Sequence, residues 1–386
     1  MPTDRMDDTL IDVPRGLTNV AVAETAIGQV RGHEGFYQYR DHSAVELART
    51  ATFEQVWHLL VCGRLPDEQE LAEFETRIAA RRHDDLVRSV AQGVWAASRE
   101  TVDPITGLKA AWPLISRELE LPQLFDTSQQ ERLEQAITLA AVSPGILSAF
   151  ELLRRGRRWQ PPSGGGVVAR YLEQVTGRAP APEIERALSA YLVAAMEHGF
   201  NASTFTARVI ASTGADMASC LVGALGSLTG PLHGGAPARA LDTLDELART
   251  GADPEAWLRA RVAAGGRVMG FGHPVYRTVD PRSQMLKQFV SGLGGPRVKL
   301  ALDFEQTAER VLAELKPGRA LHANVEFYAS VLMERCGLPR DMFTATFAFA
   351  RVVGWTAHVL EQALDSKIIR PSARFIGVTI DHAQPS

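Results

Sequence analysis

Apolar residues recur at helical spacing in one segment after another of this 386-residue chain, and that periodicity constrains the fold more than any other feature. In residues 51–62, Phe53, Val56, Trp57, Leu59 and Leu60 form one stripe, which stops at Gly63, Leu65 and Pro66 as a helix does. Residues 185–196, 217–228, 303–315 and 324–335 carry the same spacing, and Pro231, Pro317 and Pro339 fall between them. Strand-like alternation is confined to 21–30 and 35–40, separated by a Gly-containing turn, which predicts a small hairpin near the N-terminus. Residues 159–168, with two prolines and three successive glycines, read as a loop too isolated to be a phosphate-binding motif. The pattern predicts a mainly α protein with a short N-terminal β-hairpin and no internal repeat.

Residues 342–364 are the one stretch that could be mistaken for a membrane span. They contain no proline, and Gly354 is their only strong helix weakener. Arg351 sits near the middle, however, with His358, Glu361 and Gln362 beyond it, so a buried core helix accounts for the segment better. A guanidinium in so apolar a helix is costly to bury without an anionic partner, either a protein carboxylate or a bound acid. Periodicity alone favours the carboxylate.

Composition narrows the function. Hydrophobic side chains make up 45% of the chain and the formal net charge is −4, so a large core is affordable and nucleic-acid binding has no electrostatic support. Cys62, Cys220 and Cys336 are odd in number and far apart, which argues against a disulfide framework or a thiolate zinc site and points to a reducing, cytoplasmic setting. Asp4, Arg5, Asp7 and Asp8 precede any apolar run, so the N-terminus does not read as a secretory signal. Linkers are not visible, and a helical body of this length could divide in two.

The chemistry concentrates in residues 270–282, Gly-Phe-Gly-His-Pro-Val-Tyr-Arg-Thr-Val-Asp-Pro-Arg. Gly270 and Gly272 allow sharp bends and close approach of a ligand, His273 can donate to a carbonyl oxygen, and Arg277 and Arg282 can hold anions. An acidic metabolite suits such a segment. Two more histidines stand beside glycine, His198 in Glu-His-Gly-Phe-Asn-Ala-Ser-Thr-Phe and His233 in Gly-Pro-Leu-His-Gly-Gly-Ala. Taken singly each reads as an ordinary core or surface histidine. Their wide separation along the chain shows none of the short ligand spacings of a zinc site, so no metal is expected.

The Gly-Phe-Gly-His…Arg…Asp-Pro-Arg string, with the two other histidine motifs in the same order, resembles the citrate synthase family. The resemblance runs from Gly16-Leu17 through Ala23-Glu24-Thr25-Ala26-Ile27 to Arg370-Pro371 and is weakest between about 81 and 160. It implies a large helical domain, here 1–236 and 340–386, and a smaller helical domain, 237–339, with the active site in the cleft between them. It also implies condensation of acetyl-CoA with oxaloacetate and hydrolysis of the citryl thioester, without a cofactor. His233 would face the thioester oxygen and His273 would polarise the ketone. The family's Asn-Val-Asp-Phe-Tyr motif, whose carboxylate removes the methyl proton, reads here Asn324-Val325-Glu326-Phe327-Tyr328. Glutamate at this position resembles a bacterial subgroup of the family, and the alternative is a slow or nearly inactive enzyme. Oxaloacetate would be held by His198, Arg282, Arg351 and, from the other subunit, Arg370.

Coenzyme A would lie against Val268, Gly270, Gly272 and Arg277, although Arg277 reads equally well as a surface charge. The stretch before Gly16 is too short for the N-terminal extension of the NADH-regulated hexameric type, so a homodimer is expected. 2-Methylcitrate synthase, using propionyl-CoA, is the alternative enzyme; a non-catalytic regulatory relative is the alternative of another class. One methylene separates the two acyl substrates, a difference of about 1–3 kcal/mol in an apolar pocket.

Overall fold

Residues 10–378 are described by the structure, a computed structural model, apart from 232, 234–236, 274, 277 and 320 and the side chains of 237–239. The chain enters through an antiparallel sheet of β1 (Gly28–Arg31), β2 (Phe36–Tyr39) and β3 (His42–Ser43), in that order, with Val30 opposite Tyr37 and Gln38 opposite Ser43. The expected first strand, 21–30, is shortened to Gly28–Arg31. Backbone N–H groups just before it are taken by side chains instead of a strand partner: Ala26 N–H donates to Glu361 Oε1 at 2.8 Å and Ile27 N–H to Thr25 Oγ1 at 3.2 Å.

Helices follow: α1 (Ala44–Thr50), α2 (Phe53–Cys62), α3 (Glu68–Ala80), α4 (Asp84–Ala97), α5 (Pro104–Glu118), α6 (Gln129–Arg154), α7 (Val167–Thr176), α8 (Pro182–Ala195), α9 (Ala202–Ala211) and α10 (Met217–Leu228). After them come α11 (Pro237–Thr250), α12 (Pro254–Ala263), α13 (Pro281–Leu293), α14 (Pro296–Leu315), α15 (Val325–Arg335) and α16 (Phe343–Gln362). Their starts are chemically determined. Thr52 with Gln55, Asp67 with Glu70 and Ser128 with Glu131 close reciprocal capping boxes at α2, α3 and α6. Gly63, in the left-handed region at φ 89°, ends α2. The stripe read at 303–315 belongs to a longer α14, which begins at Pro296.

Helix α16 is the buried core helix expected of 342–364, packed against α2, α6, α8, α9 and α10. Among the described residues the one helix long and apolar enough to cross a membrane is α6, not the 342–364 segment, and most of it is buried inside the protein. Helices α11–α15 pack among themselves, and α13 and α15 lean on α8. The sheet docks on the end of α8: Tyr37 Oη donates to the Ala194 carbonyl at 3.1 Å, and Tyr39 Oη lies 2.9 Å from the Val193 carbonyl and accepts the Glu197 N–H at 3.2 Å.

Gly354 serves packing rather than weakness. A Cβ there would run into the Met196 carbonyl oxygen, so its absence lets α16 close onto the end of α8. Alanine gains about 1 kcal/mol over glycine in an open helix, but forcing a methyl into a filled contact costs about 1–3 kcal/mol. Gly354→Ala should therefore lower the urea midpoint of unfolding. Gly93→Ala in α4, where a Cβ meets nothing within 4 Å, should raise it.

Candidate active site

Two chain segments form the heart of the site. Residues 270–273 run beside 322–324: Gly272 N–H donates to the His322 carbonyl at 2.8 Å, Asn324 N–H to the Gly270 carbonyl at 2.8 Å, and Asn324 Nδ2 to the Gly272 carbonyl at 2.9 Å. Asn324 also caps α15, its Oδ1 accepting the Glu326 N–H at 3.0 Å. This stitching requires Gly270 and Gly272 at φ 84° and 88°, and a Cβ on them would press on Phe327 and Leu321. His273 and Glu326 are thereby held in one rigid unit.

The His273 ring has a defined tautomer. Nδ1 accepts the backbone N–H groups of Val275 and Tyr276, both at 3.0 Å, so the ring proton resides on Nε2. Burial, and then the Arg282 charge, lower its pKa to about 4, which keeps the ring neutral. Nε2 lies 3.1 Å from an Arg282 terminal nitrogen. With the proton on Nε2 this is a contact between two donors, which an acceptor oxygen bound beside them would satisfy.

Burial works against the Arg282 charge, but its pairing with Asp280 outweighs this and holds the pKa above the usual arginine value. Arg351 differs: it is 4% exposed, forms no ion pair with any described carboxylate, and has its Nε unsatisfied. Its guanidinium sits 5.0 Å from the Phe347 ring centre, and burial lowers its pKa. Of the two partners weighed for Arg351, the structure offers no paired protein carboxylate.

His198 follows the end of α8 and meets Tyr276 Oη through Nε2 at 2.9 Å. Burial, followed by the charges of Arg282 and Arg351, pushes its pKa well below the usual range. His233 Nε2 lies 3.0 Å from Ser203 Oγ, which also accepts the Trp355 indole N–H at 3.2 Å. Burial lowers the His233 pKa as well. Glu326 moves the other way, raised by burial to about 7.

His198, His233, His273, Arg282, Glu326 and Arg351 all line one cavity of about 550 Å³. A neighbouring cavity of about 790 Å³ is lined by Val268, Gly270 and Gly272 and shares His273, Asn324 and Glu326 with the first. Arg267, Lys316 and Arg319 add positive charge there. The periodicity reading passed over Lys316 and Arg319, although two cations flanking a Pro-Gly turn were the available signal. Arg277 lies outside the described residues. Arg370 is exposed and does not line either cavity of its own chain. Asp280, Tyr276, Asn324, Ser203 and Phe347 are further site residues that periodicity did not single out.

A mainly α body whose helix ends converge three neutral histidines, two buried arginines and a protonatable carboxylate on one cleft defines an acid-handling enzyme of the citrate synthase type. The citrate synthase C-terminal domain family matches residues 16–372, and the chain belongs to the citrate synthase family. It is 34% identical to citrate synthase of Haloferax volcanii over 95% of this chain and 96% of that one. It is 33% identical to 2-methylcitrate synthase of Shewanella oneidensis over 94% and 95%. Among solved structures, citrate synthase from Thermotoga maritima superimposes with a TM-score of 0.80 at 34% identity, covering 96% of this chain and 98% of that one. A ternary complex of carboxymethyl coenzyme A and oxaloacetate with citrate synthase from Thermoplasma acidophilum superimposes with a TM-score of 0.82 at 25% identity, over 97% and 98%.

The unpaired Arg351 gives a test of what the cavity binds. Replacing a buried charge by an apolar side chain of similar length is neutral or stabilising when no bound anion compensates it. Arg351→Met should leave the melting temperature of the free protein unchanged or higher and abolish the rise produced by oxaloacetate. An oxaloacetate-induced rise equal to that of the wild type would show that Arg351 does not hold the acid.

Proposed function

We propose that this protein condenses acetyl-CoA with oxaloacetate and hydrolyses the citryl thioester, an acyl transfer in which the acyl group becomes alkyl. The single observation that carries this reading is the cavity in which unpaired Arg351 and Asp280-clamped Arg282 face the neutral Nε2–H donor of His273. A dicarboxylate with a ketone matches that set of donors: two guanidinium groups for its carboxylates and one hydrogen-bond donor for its carbonyl. His198 is close enough to share the acid.

The acyl substrate would enter through the adjoining cavity, its thioester placed where the two cavities meet. Arg267, Lys316 and Arg319 suit the phosphates of coenzyme A, with the backbone of Val268, Gly270 and Gly272 alongside. Glu326 removes a proton from the acyl methyl carbon. His233 stabilises the enol oxygen, its ring held by the contact of Nε2 with Ser203 Oγ at 3.0 Å. The enol carbon then attacks the ketone carbon that His273 polarises, and water hydrolyses the resulting thioester, releasing the thiol. No cofactor beyond the two substrates is needed.

This reading divides the chain into a large domain, 1–236 and 340–386, and a small one, 237–339, which close on oxaloacetate because Arg351 and Arg282 belong to different domains. Arg370 lies outside the cavity of its own chain, which supports its action in the site of a second copy and hence a homodimer. The cysteine content supports a cytoplasmic setting.

Propionyl-CoA, giving 2-methylcitrate, is the second reading. Beyond Glu326 the cavity is walled by Ala195, Ala329, Tyr191 and Phe347, small or apolar side chains that leave space for another methyl group. Thiol release measured with oxaloacetate and each acyl-CoA separates the two, and no release with either indicates a non-catalytic relative.

Glu326 sets the pH dependence. A base must be ionised, and with a pKa of about 7 its reactive fraction grows as pH rises. We expect kcat/KM for the acyl-CoA to increase with pH and level off above about 7. Glu326→Gln should lower turnover about 100-fold and remove this limb while oxaloacetate affinity changes little. Glu326→Asp shortens the reach by roughly 1 Å and should also slow the reaction if the site is built around glutamate. A Gln variant as active as the wild type would exclude Glu326 as the base.

A further inference from the structure

Asp280 makes more bonds than a helix cap requires. It precedes Pro281, the first residue of α13, and its Oδ1 accepts the Arg282 N–H at 3.0 Å, the usual capping bond. Oδ1 also accepts Arg282 Nε–H at 3.0 Å, and Oδ2 accepts an Arg282 terminal N–H at 2.9 Å, a two-pronged grip on the guanidinium. Oδ2 further accepts the Val325 N–H at 3.0 Å, across the site at the start of α15. The residue is 2% exposed, so these four donors fill the lone pairs of a carboxylate away from water.

We propose that Asp280 is a positioning residue: its buried carboxylate fixes the Arg282 guanidinium and the backbone N–H next to Glu326 as one unit, so that the acid-binding group and the base keep a set separation. The inference rests on the reaction proposed above. A cap alone explains one of the four bonds. The other three join the anion-binding arginine of α13 to the first turn of α15, a link that helix stability does not need.

The same carboxylate balances charge at the base. Titratable and charged groups lining the two cavities that Glu326 shares are Tyr191 from α8, His198, His233, His273, Tyr276, Arg282 from α13 and Arg351 from α16, with Arg267, Lys316 and Arg319 on the side of the second cavity. Burial is the larger cause of the raised Glu326 pKa; the Arg282 charge favours the ionised form and the Asp280 charge opposes Arg282 there. Removing the Asp280 charge leaves Arg282 uncompensated and makes Glu326 a stronger acid.

Three variants test this by thiol-release kinetics across pH beside the wild type, with folding followed by circular dichroism. Asp280→Ser retains a good cap for α13 but reaches neither the Arg282 guanidinium nor the Val325 N–H. Asp280→Asn keeps the shape and removes the charge. Both should raise the oxaloacetate KM about tenfold or more, lower kcat, and move the acid limb of kcat/KM down by about half a pH unit or more. Val325→Pro removes the N–H that Oδ2 accepts and keeps an apolar side chain, at a first-turn position where proline fits. The preceding Asn324 is already extended at φ −94°, ψ 175°. It should lower kcat while leaving the oxaloacetate KM within about twofold of the wild type.

Folded Asp280→Ser and Asp280→Asn proteins with wild-type KM, kcat and acid limb would overturn the proposal while leaving the reaction intact. If neither folds, Val325→Pro decides: unchanged kcat overturns the tie to Glu326. A wild-type protein that releases no thiol with either acyl-CoA overturns this inference together with the reaction it rests on.

Discussion

A guanidinium held in the core without a carboxylate beside it governs the arrangement around it. Arg351 can occupy that position only because α16 is clamped on several sides, by α2, α6, α8, α9 and α10 and by the backbone approach at Gly354. Beneath it, Glu197 is buried, with one oxygen 3.3 Å from His358 Nε2 and the other unpartnered. Its charge favours Arg351 from a distance without neutralising it by contact. His358 in turn meets Arg208, which pairs with Glu361, and Glu361 anchors the N–H of Ala26 ahead of the sheet. The buried charge is thus tied through one polar network to the segment that enters the fold.

Two consequences follow for the cleft. With burial as the larger cause, the positive charges of Arg282 and Arg351 help drive His198 below its ordinary pKa, and one of the two acts on each of His273 and His233. All three rings are therefore neutral donors or acceptors rather than cations. Burial acts in the opposite sense on Glu326, which keeps its proton to higher pH than a carboxyl in water. A group of neutral hydrogen-bonding histidines beside a weakened acid suits polarising a carbonyl and moving a carbon-bound proton near neutral pH. Asp280 links the two halves of that electrostatic balance.

Much of the helical architecture was legible because a stripe of apolar residues is a local property. The stripe at 217–228 coincides with α10, and the stripes at 51–62 and 324–335 end where α2 and α15 end. The first strand was overextended because side chains of Thr25 and of Glu361, the latter from the far end of the sequence, take the N–H groups that an isolated reading gives to a partner strand. Helix α14 was cut short for a related reason: its first turns alternate charged and apolar residues, and only packing shows that Val298 and Ala301 face inward. Helix α6 went unread because nearly all its faces are buried, which removes the polar stripe that marks amphipathic helices.

The candidate site divides along the same line. Residue types and their local motifs were present in the sequence: histidines beside glycine, the Asp280-Pro281-Arg282 turn, and a glutamate following Asn324 at a helix start. From these alone a capping aspartate is indistinguishable from a clamp, and Arg351 from half of an ion pair. Both questions depend on which groups lie within about 3 Å across segments far apart in the chain, since hydrogen bonds and desolvation act at that range irrespective of sequence separation. Local pattern determined the helices and the residues offered to the cleft. Only the packed tertiary structure decided that Asp280 reaches Val325, that Arg351 pairs with no described carboxylate, and that burial moves Glu326 toward neutrality.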